Sequence, residues 1–171
     1  MTSFKFEEVA DIIASAGGEV VGRTRLQKIA YLLTVTGLDS NFLFSYKHYG
    51  PYSEQLASVA RLGAMLGTFS ETQQTAAWGG TYSTYILKVP RPVDQGSDRA
   101  QVAAIAAKAD AVELELAATA VYLANEGFAD PWAETTRRKP EKSTQQRIAG
   151  AKSLLEKLGK VQLPNPLPNL S

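Results

Sequence analysis

The apolar residues of this chain switch between helical and strand period three times in the first 90 positions, and the order of those periods limits the fold more than any other feature. Phe6, Val9, Ile12 and Ile13 recur at helical spacing, which predicts a helix over 4–16 closed by Gly17 and Gly18. Leu26, Ile29, Ala30 and Leu33 stand at i, i+3, i+4 and i+7 of a second helix, 23–36, with Gly37 as its stop. Residues 42–49 alternate instead, placing Phe42, Phe44, Tyr46 and His48 on one strand face. Gly50-Pro51 ends that strand and opens a helix over 52–66, with Leu56, Val59, Ala60, Leu62, Gly63 and Leu66 on its buried side. Strands over 68–72 and 82–89 follow, the second with Tyr85, Leu87 and Val89 on one face, and Gly79-Gly80 sits at the hairpin tip. Helix, helix, strand, helix, hairpin is the order of a winged-helix-like unit.

The second half reads as helical. A connector over 90–97, with Pro90, Pro92 and Gly96, leads to one long helix over 99–125. Val102, Ile105, Ala109, Val112, Leu116 and Leu123 form a heptad-like seam in it, suited to central packing or to a dimer. Alanine supplies 24 of the apolar residues, 11 of them within 100–124, and alanine favours helix and close approach. Asp130-Pro131 is an N-cap with proline at N1 of a short helix that stops before Pro140. A last helix spans about 144–158, with Ile148, Ala151, Leu155 and Leu158 as its seam. The expected fold is mainly α within an α+β class: a winged-helix-like unit with a small antiparallel hairpin, then a C-terminal helical segment with one long helix. Residues 1–159 form a single mostly helical domain, divided into a winged-helix-like half (1–89) and a helical half (98–159). Residues 160–171, with three prolines, form a loose extended tail.

Chemistry is limited by what is missing. The 171 residues include no cysteine and one histidine, His48, so a cysteine nucleophile, a disulfide or a site needing two histidines is impossible. Lys and Arg number 18 against 17 Asp and Glu, a net charge of +1, whereas dedicated nucleic-acid binders are usually strongly basic. There is no apolar run of membrane-spanning length, and Thr2, Lys5, Glu7 and Glu8 do not make a signal peptide, so a cytoplasmic protein with no membrane contact is expected. No cofactor or metal is expected.

Gly17 to Thr24 superficially fits the spacing of a phosphate-binding loop, but it has Arg23 in place of lysine and follows a helix rather than a buried strand. These glycines read as a helix–helix turn. His48 has no nucleophile-elbow motif for company and reads as structural. Cations concentrate in two clusters. Arg23, Arg25 and Lys28 open the second helix, where they oppose its dipole unless an anion or an acidic partner faces them. Arg137, Arg138, Lys139, Lys142 and Arg147 form the other, either an anion or nucleic-acid contact or a solvated, salt-bridged surface. The helix that would enter a DNA groove offers Glu54, Gln55, Ser58 and Arg61, with one cation among them.

Arg25-Leu26-Gln27-Lys28-Ile29-Ala30-Tyr31 followed by Tyr49-Gly50-Pro51-Tyr52-Ser53 resembles the Panacea antitoxin domain, the SocA-like group, and within it the small bacterial YwgA-like branch. Asp130-Pro131-Trp132 to Arg138-Lys139-Pro140 is similar to the region where that group carries a Pro-Trp pair. The resemblance covers about 4–158 and implies a helical domain with a small sheet that binds proteins. Members neutralise toxins or deliver a toxin to a protease, and no catalytic residues carry over. Read physically, Leu26 and Ile29 face the core, Gln27 and Lys28 fall on the polar side, and Tyr31 offers an amphipathic interface anchor. The expected function is a non-enzymatic protein-binding module, antitoxin-like or proteolytic-adaptor-like. Its contact residues are Arg23, Arg25, Lys28, Tyr31, Tyr46, His48, Tyr49 and Tyr52, and the partner is a protein such as a toxin or protease system. A homodimer is possible. The alternative is a winged-helix nucleic-acid-binding transcriptional regulator using the 137–147 cluster.

Overall fold

A computed structural model describes residues 5–170. Its elements run α1 (Lys5–Ser15), β1 (Glu19–Val21), α2 (Arg23–Val35), β2 (Ser45–Lys47), β3 (Gly50–Tyr52), α3 (Glu54–Met65), β4 (Phe69–Thr75), β5 (Thr81–Leu87), α4 (Asp98–Lys108), α5 (Ala111–Asn125), α6 (Pro131–Arg138) and α7 (Gln145–Gly159). The class is mainly α within α+β, with the winged-helix order in its first half. Position 4 of the first expected helix and position 171 of the tail lie outside the described residues. No helix among the described residues is long and apolar enough to cross a membrane.

The three-stranded sheet has the order β1-β5-β4, all antiparallel. β4 and β5 pair from Phe69↔Leu87 to Thr75↔Thr81, so β4 runs three residues beyond its expected end, β5 stops two residues before its own, and the hairpin turns at Gly79-Gly80 as its glycines indicate. Val89 falls beyond β5 and is exposed, while Tyr85 is buried and Leu87 half-buried. β1 corrects the reading of Gly17–Thr24 as a helix–helix turn. Val20 is buried against Tyr85, and the Gly22 N–H donates to the Ser83 carbonyl at 2.7 Å, which carries the ladder to the start of α2. Three residues are too few for a period, and their partner lies about 65 residues away in sequence.

The aromatic segment also differs. Only Ser45–Lys47 of 42–49 is strand, and it pairs with Gly50–Tyr52 through Tyr46↔Pro51. The chain reverses at His48-Tyr49, and α3 begins at Glu54, with the Ser53 hydroxyl accepting from the Leu56 N–H at 3.1 Å. Gly50 stands at φ +94°, left-handed territory that glycine enters without strain, and this allows the reversal where a continuous strand was expected.

The expected single helix over 99–125 is two helices. Ala109 is extended, and the Asp110 carboxylate accepts from the Val112 and Glu113 N–H groups at 3.0 Å, capping a new start. The apolar seam runs through the break and so concealed it. Val102, Leu116 and Leu123 are buried within the chain. α5 is buried on nearly every side, and its alanines let α2, α6 and α7 approach. α7 starts at Gln145 behind a Thr144 cap, one residue later than expected.

The tail is docked rather than loose. Val161 is buried, and Leu163, Leu167 and Leu170 pack on the core. The Asn165 N–H donates to the Thr36 carbonyl at 2.9 Å, and the Trp132 indole N–H to the Leu170 carbonyl at 3.4 Å. The prolines forbid helix, and the leucines beside and between them hold an extended strap instead.

A side chain at Gly50 would meet the left-handed backbone penalty and the Thr119 hydroxyl; at Gly79, also at positive φ, it would meet open space. Gly79→Ala is expected to cost about 1 kcal/mol and Gly50→Ala about 3 kcal/mol or more in urea unfolding. Equal costs would show that the Thr119 contact is not tight.

Candidate functional site

α2 is buried from Leu26 through Leu33 because the sheet half packs on one side of it and α4 and α5 on the other. This corrects the placement of Gln27 and Lys28 on a polar side. The Gln27 side chain closes a pair of hydrogen bonds with the backbone of Ser53, donating from Nε2 to the carbonyl at 2.9 Å and accepting the Ser53 N–H at 2.8 Å. Lys28, 1% exposed, donates from Nζ to the Pro51 carbonyl at 2.8 Å. Burial pushes its amine down to about 7, the Glu115 carboxylate opposes that, and Lys139 and Lys142 add to it. Tyr31 is also corrected: it is 5% exposed, its ring packed edge-on against Phe44 at 5.4 Å and beside Tyr122 at 6.1 Å, so it is no surface anchor. Burial raises its hydroxyl well above the ordinary range. Arg25 is half-buried, and its guanidinium donates to the last carbonyls of α4, at 3.1 Å to Ala107 and also to Ala109. The dipole conflict expected for Arg23, Arg25 and Lys28 is thus settled mostly by backbone carbonyls and, for Arg23, by Glu71.

The remaining candidates meet at one surface. The β2–β3 turn lies against α6 and the segment after it. Lys139 donates to the His48 carbonyl at 3.0 Å and pairs with the buried Glu115 at 2.9 Å. Lys142 pairs with the same carboxylate at 2.9 Å and lies 4.9 Å from the centre of the Tyr49 ring. The Arg138 guanidinium sits between Tyr46 at 4.7 Å and Phe128 at 5.3 Å. Glu134 binds Arg137 at 2.6 Å and Arg138 at 2.7 Å. Those bonds, from Arg137 first and Arg138 second, hold its carboxyl down at about 2. Two residue sets assigned to rival readings, Tyr46, His48 and Tyr49 on one side and Arg137, Arg138 and Lys142 on the other, therefore form a single face, while Lys139, expected as a surface contact, is corrected to a buried residue beneath it. Arg147 stands apart, lining a recess with Asp110 and Glu113.

Tyr49 also leads into a cavity of about 290 Å³, which it shares with Tyr52. Leu26, Leu56, Ala57 and Ala60 make its apolar floor, and Arg23, Arg61, Lys28 and Glu71 its charged wall. Glu71 accepts from Arg23 at 2.9 and 2.7 Å and from the Ser83 hydroxyl at 2.7 Å. Burial raises the Glu71 carboxyl, but the bonds from Ser83 and Arg23 together outweigh it and hold the group below its ordinary value. Burial pushes the Tyr85 hydroxyl, on the same wall, up to about 12.

Several of these residues escaped sequence reading. Glu134 stands three and four residues before Arg137 and Arg138, a helical ion-pair spacing that was legible. Glu115, Phe128 and Glu71 carry no local signal, since their partners are distant in sequence. The outer face of α3, the expected groove reader, exposes Leu62, Met65 and Leu66.

No family model matches the chain. A stretch of 46 residues, 26% of this chain, is 50% identical to part of a DNA ADP-ribosyl glycohydrolase from Thermus aquaticus, of which it spans 13%.

Between about pH 7 and 10 the unfolded chain holds a proton on Lys28 that the folded chain has lost, so stability rises with pH there, by up to roughly 1.4 kcal/mol per unit. Below that window the full cost of burying the cation remains. From pH 7 to 9, below the range of the raised tyrosines, the native chain is expected to gain about 2 kcal/mol relative to Lys28→Met in urea unfolding. Parallel pH profiles would contradict the assignment.

Proposed function

We propose that this chain is a non-enzymatic, cytoplasmic protein-binding module, antitoxin-like or proteolytic-adaptor-like, which meets its partner through the face built from the β2–β3 turn and α6. The observation that carries the reading is the Arg138 guanidinium between Tyr46 and Phe128, beside the Lys142–Tyr49 pair. Arginine and tyrosine held in fixed positions lose little entropy on binding, and these residue types dominate interface hot spots. Tyr49 and Phe128 are exposed there, and the ion pairs at Glu134 and Glu115 fix the surrounding cations.

The resemblance to the Panacea group supports the same reading, because the motifs that carry it, Leu26-Gln27-Lys28 and Tyr49 to Ser53, are the scaffold of this face. The likeness to a DNA ADP-ribosyl glycohydrolase covers too little of that protein to bring its activity here. The acid–base candidates also point away from catalysis: Glu71, Glu115 and Glu134 are all committed to cations.

Affinity purification of the tagged chain from its native host is expected to bring down a stoichiometric protein. Arg138→Ala is expected to weaken that capture about 30-fold or more while leaving the unfolding midpoint within a few degrees. Recovery of nucleic acid in place of protein, released by raised salt, would favour the regulator reading instead. Undiminished capture by Arg138→Ala would place the contact elsewhere.

A further inference from the structure

The 290 Å³ cavity beside this face combines an apolar floor with a charged wall. Its floor is apolar, since Leu26, Leu56 and Ala60 line it and are each almost wholly buried. Its wall carries two permanent cations, Arg23 and Arg61, with Lys28 beside them, against one carboxylate, Glu71. The charges are not all used internally. Glu71 is bound through one oxygen by Arg23 Nε and Nη2 and by Ser83, and the Tyr85 hydroxyl also stands beside the Arg23 guanidinium, so Arg23 is largely engaged within the wall. Arg61 is exposed and enters no ion pair among the described residues.

We infer that this cavity captures a carboxylate borne next to a large apolar side chain, and that the natural source is the C-terminal residue of the partner protein. Size, charge and position support it. The volume is at the lower edge of the range for drug-sized ligands, room for about one residue rather than a folded segment. A planar guanidinium matches a carboxylate in a two-point fork. Glu71 on the same wall repels a dianion more than a monoanion, which favours a carboxylate over a phosphate monoester. Tyr49 belongs to both the cavity and the exposed face, so a chain end seated in the cavity continues directly onto the Arg138–Tyr46 surface. Capture of chain ends by fixed donors beside an apolar pocket is an established mode of peptide recognition. The inference deepens the proposed protein-binding function by naming which part of the partner is held.

The test uses small probes and the full chain, so its outcome is separate from that of partner capture. Amide shifts of the isotope-labelled protein are followed with N-acetyl-phenylalanine, its C-terminal amide, N-acetyl-aspartyl-phenylalanine amide and adenosine monophosphate. The free acid is expected to shift the amides of Arg23, Thr24, Tyr52 and Ala57, saturating at about millimolar concentration. The amide is expected to bind at least about tenfold more weakly, as is the free acid to Arg61→Gln, whose exposed side chain is not needed for folding. Equal binding of acid and amide, or no shift with either, would overturn the inference. Binding of the aspartyl amide as tight as the free acid would overturn the chain-end source and assign an internal acidic residue. Preference for adenosine monophosphate would overturn it in favour of a phosphate ligand.

Discussion

The two hydrogen bonds between the Gln27 amide and the backbone of Ser53 are the constraint on which the rest of this structure depends. Both groups are buried, both bonds are short, and they join residues 26 positions apart. Ser53 is also the cap of α3, so Gln27 fixes where that helix begins. One residue further along α2, Lys28 holds the Pro51 carbonyl, and Thr119 of α5 leaves space there only for a glycine at position 50. A buried polar group left without its partner costs about 1–3 kcal/mol. A shift of the β2–β3 hairpin by one residue would break several of these bonds together, so the hairpin has one register.

The functional surface inherits that precision. The hairpin turn presents His48 and Tyr49, and the Lys139 bond to the His48 carbonyl ties the turn to the segment after α6. Lys139 in turn shares Glu115 with Lys142, a buried carboxylate whose charge is balanced by two lysines. From the core outward the order is Gln27 and Lys28, then β3, then the turn, then the aromatic–cation face. The buried Lys28 amine is engaged in this arrangement by the Pro51 carbonyl it donates to.

Much of this was legible in the sequence, and the exceptions have a common cause. The winged-helix order, the Asp130-Pro131 start and the tip of the long hairpin follow from period and turn chemistry, which are local. The β1 strand, the break at Asp110, the docked tail and the burial of Lys28 and Tyr31 depend on distant neighbours. α2 illustrates the limit: its Leu26, Ile29, Ala30 and Leu33 stripe reads as one buried face, but packing on both sides removes the polar face altogether. For the site, the residue types were readable, but their meeting was not. Tyr46 and Arg138 stand 92 positions apart, and nothing local in either stretch announces the stack.

The most direct test of the account is a hydrogen-exchange footprint of the chain with its captured partner. Slowed exchange is expected over 45–52 and 131–143, extending to the first turn of α2 at the cavity mouth. Protection confined to α7 or to the outer face of α3, with 45–52 unchanged, would contradict the account.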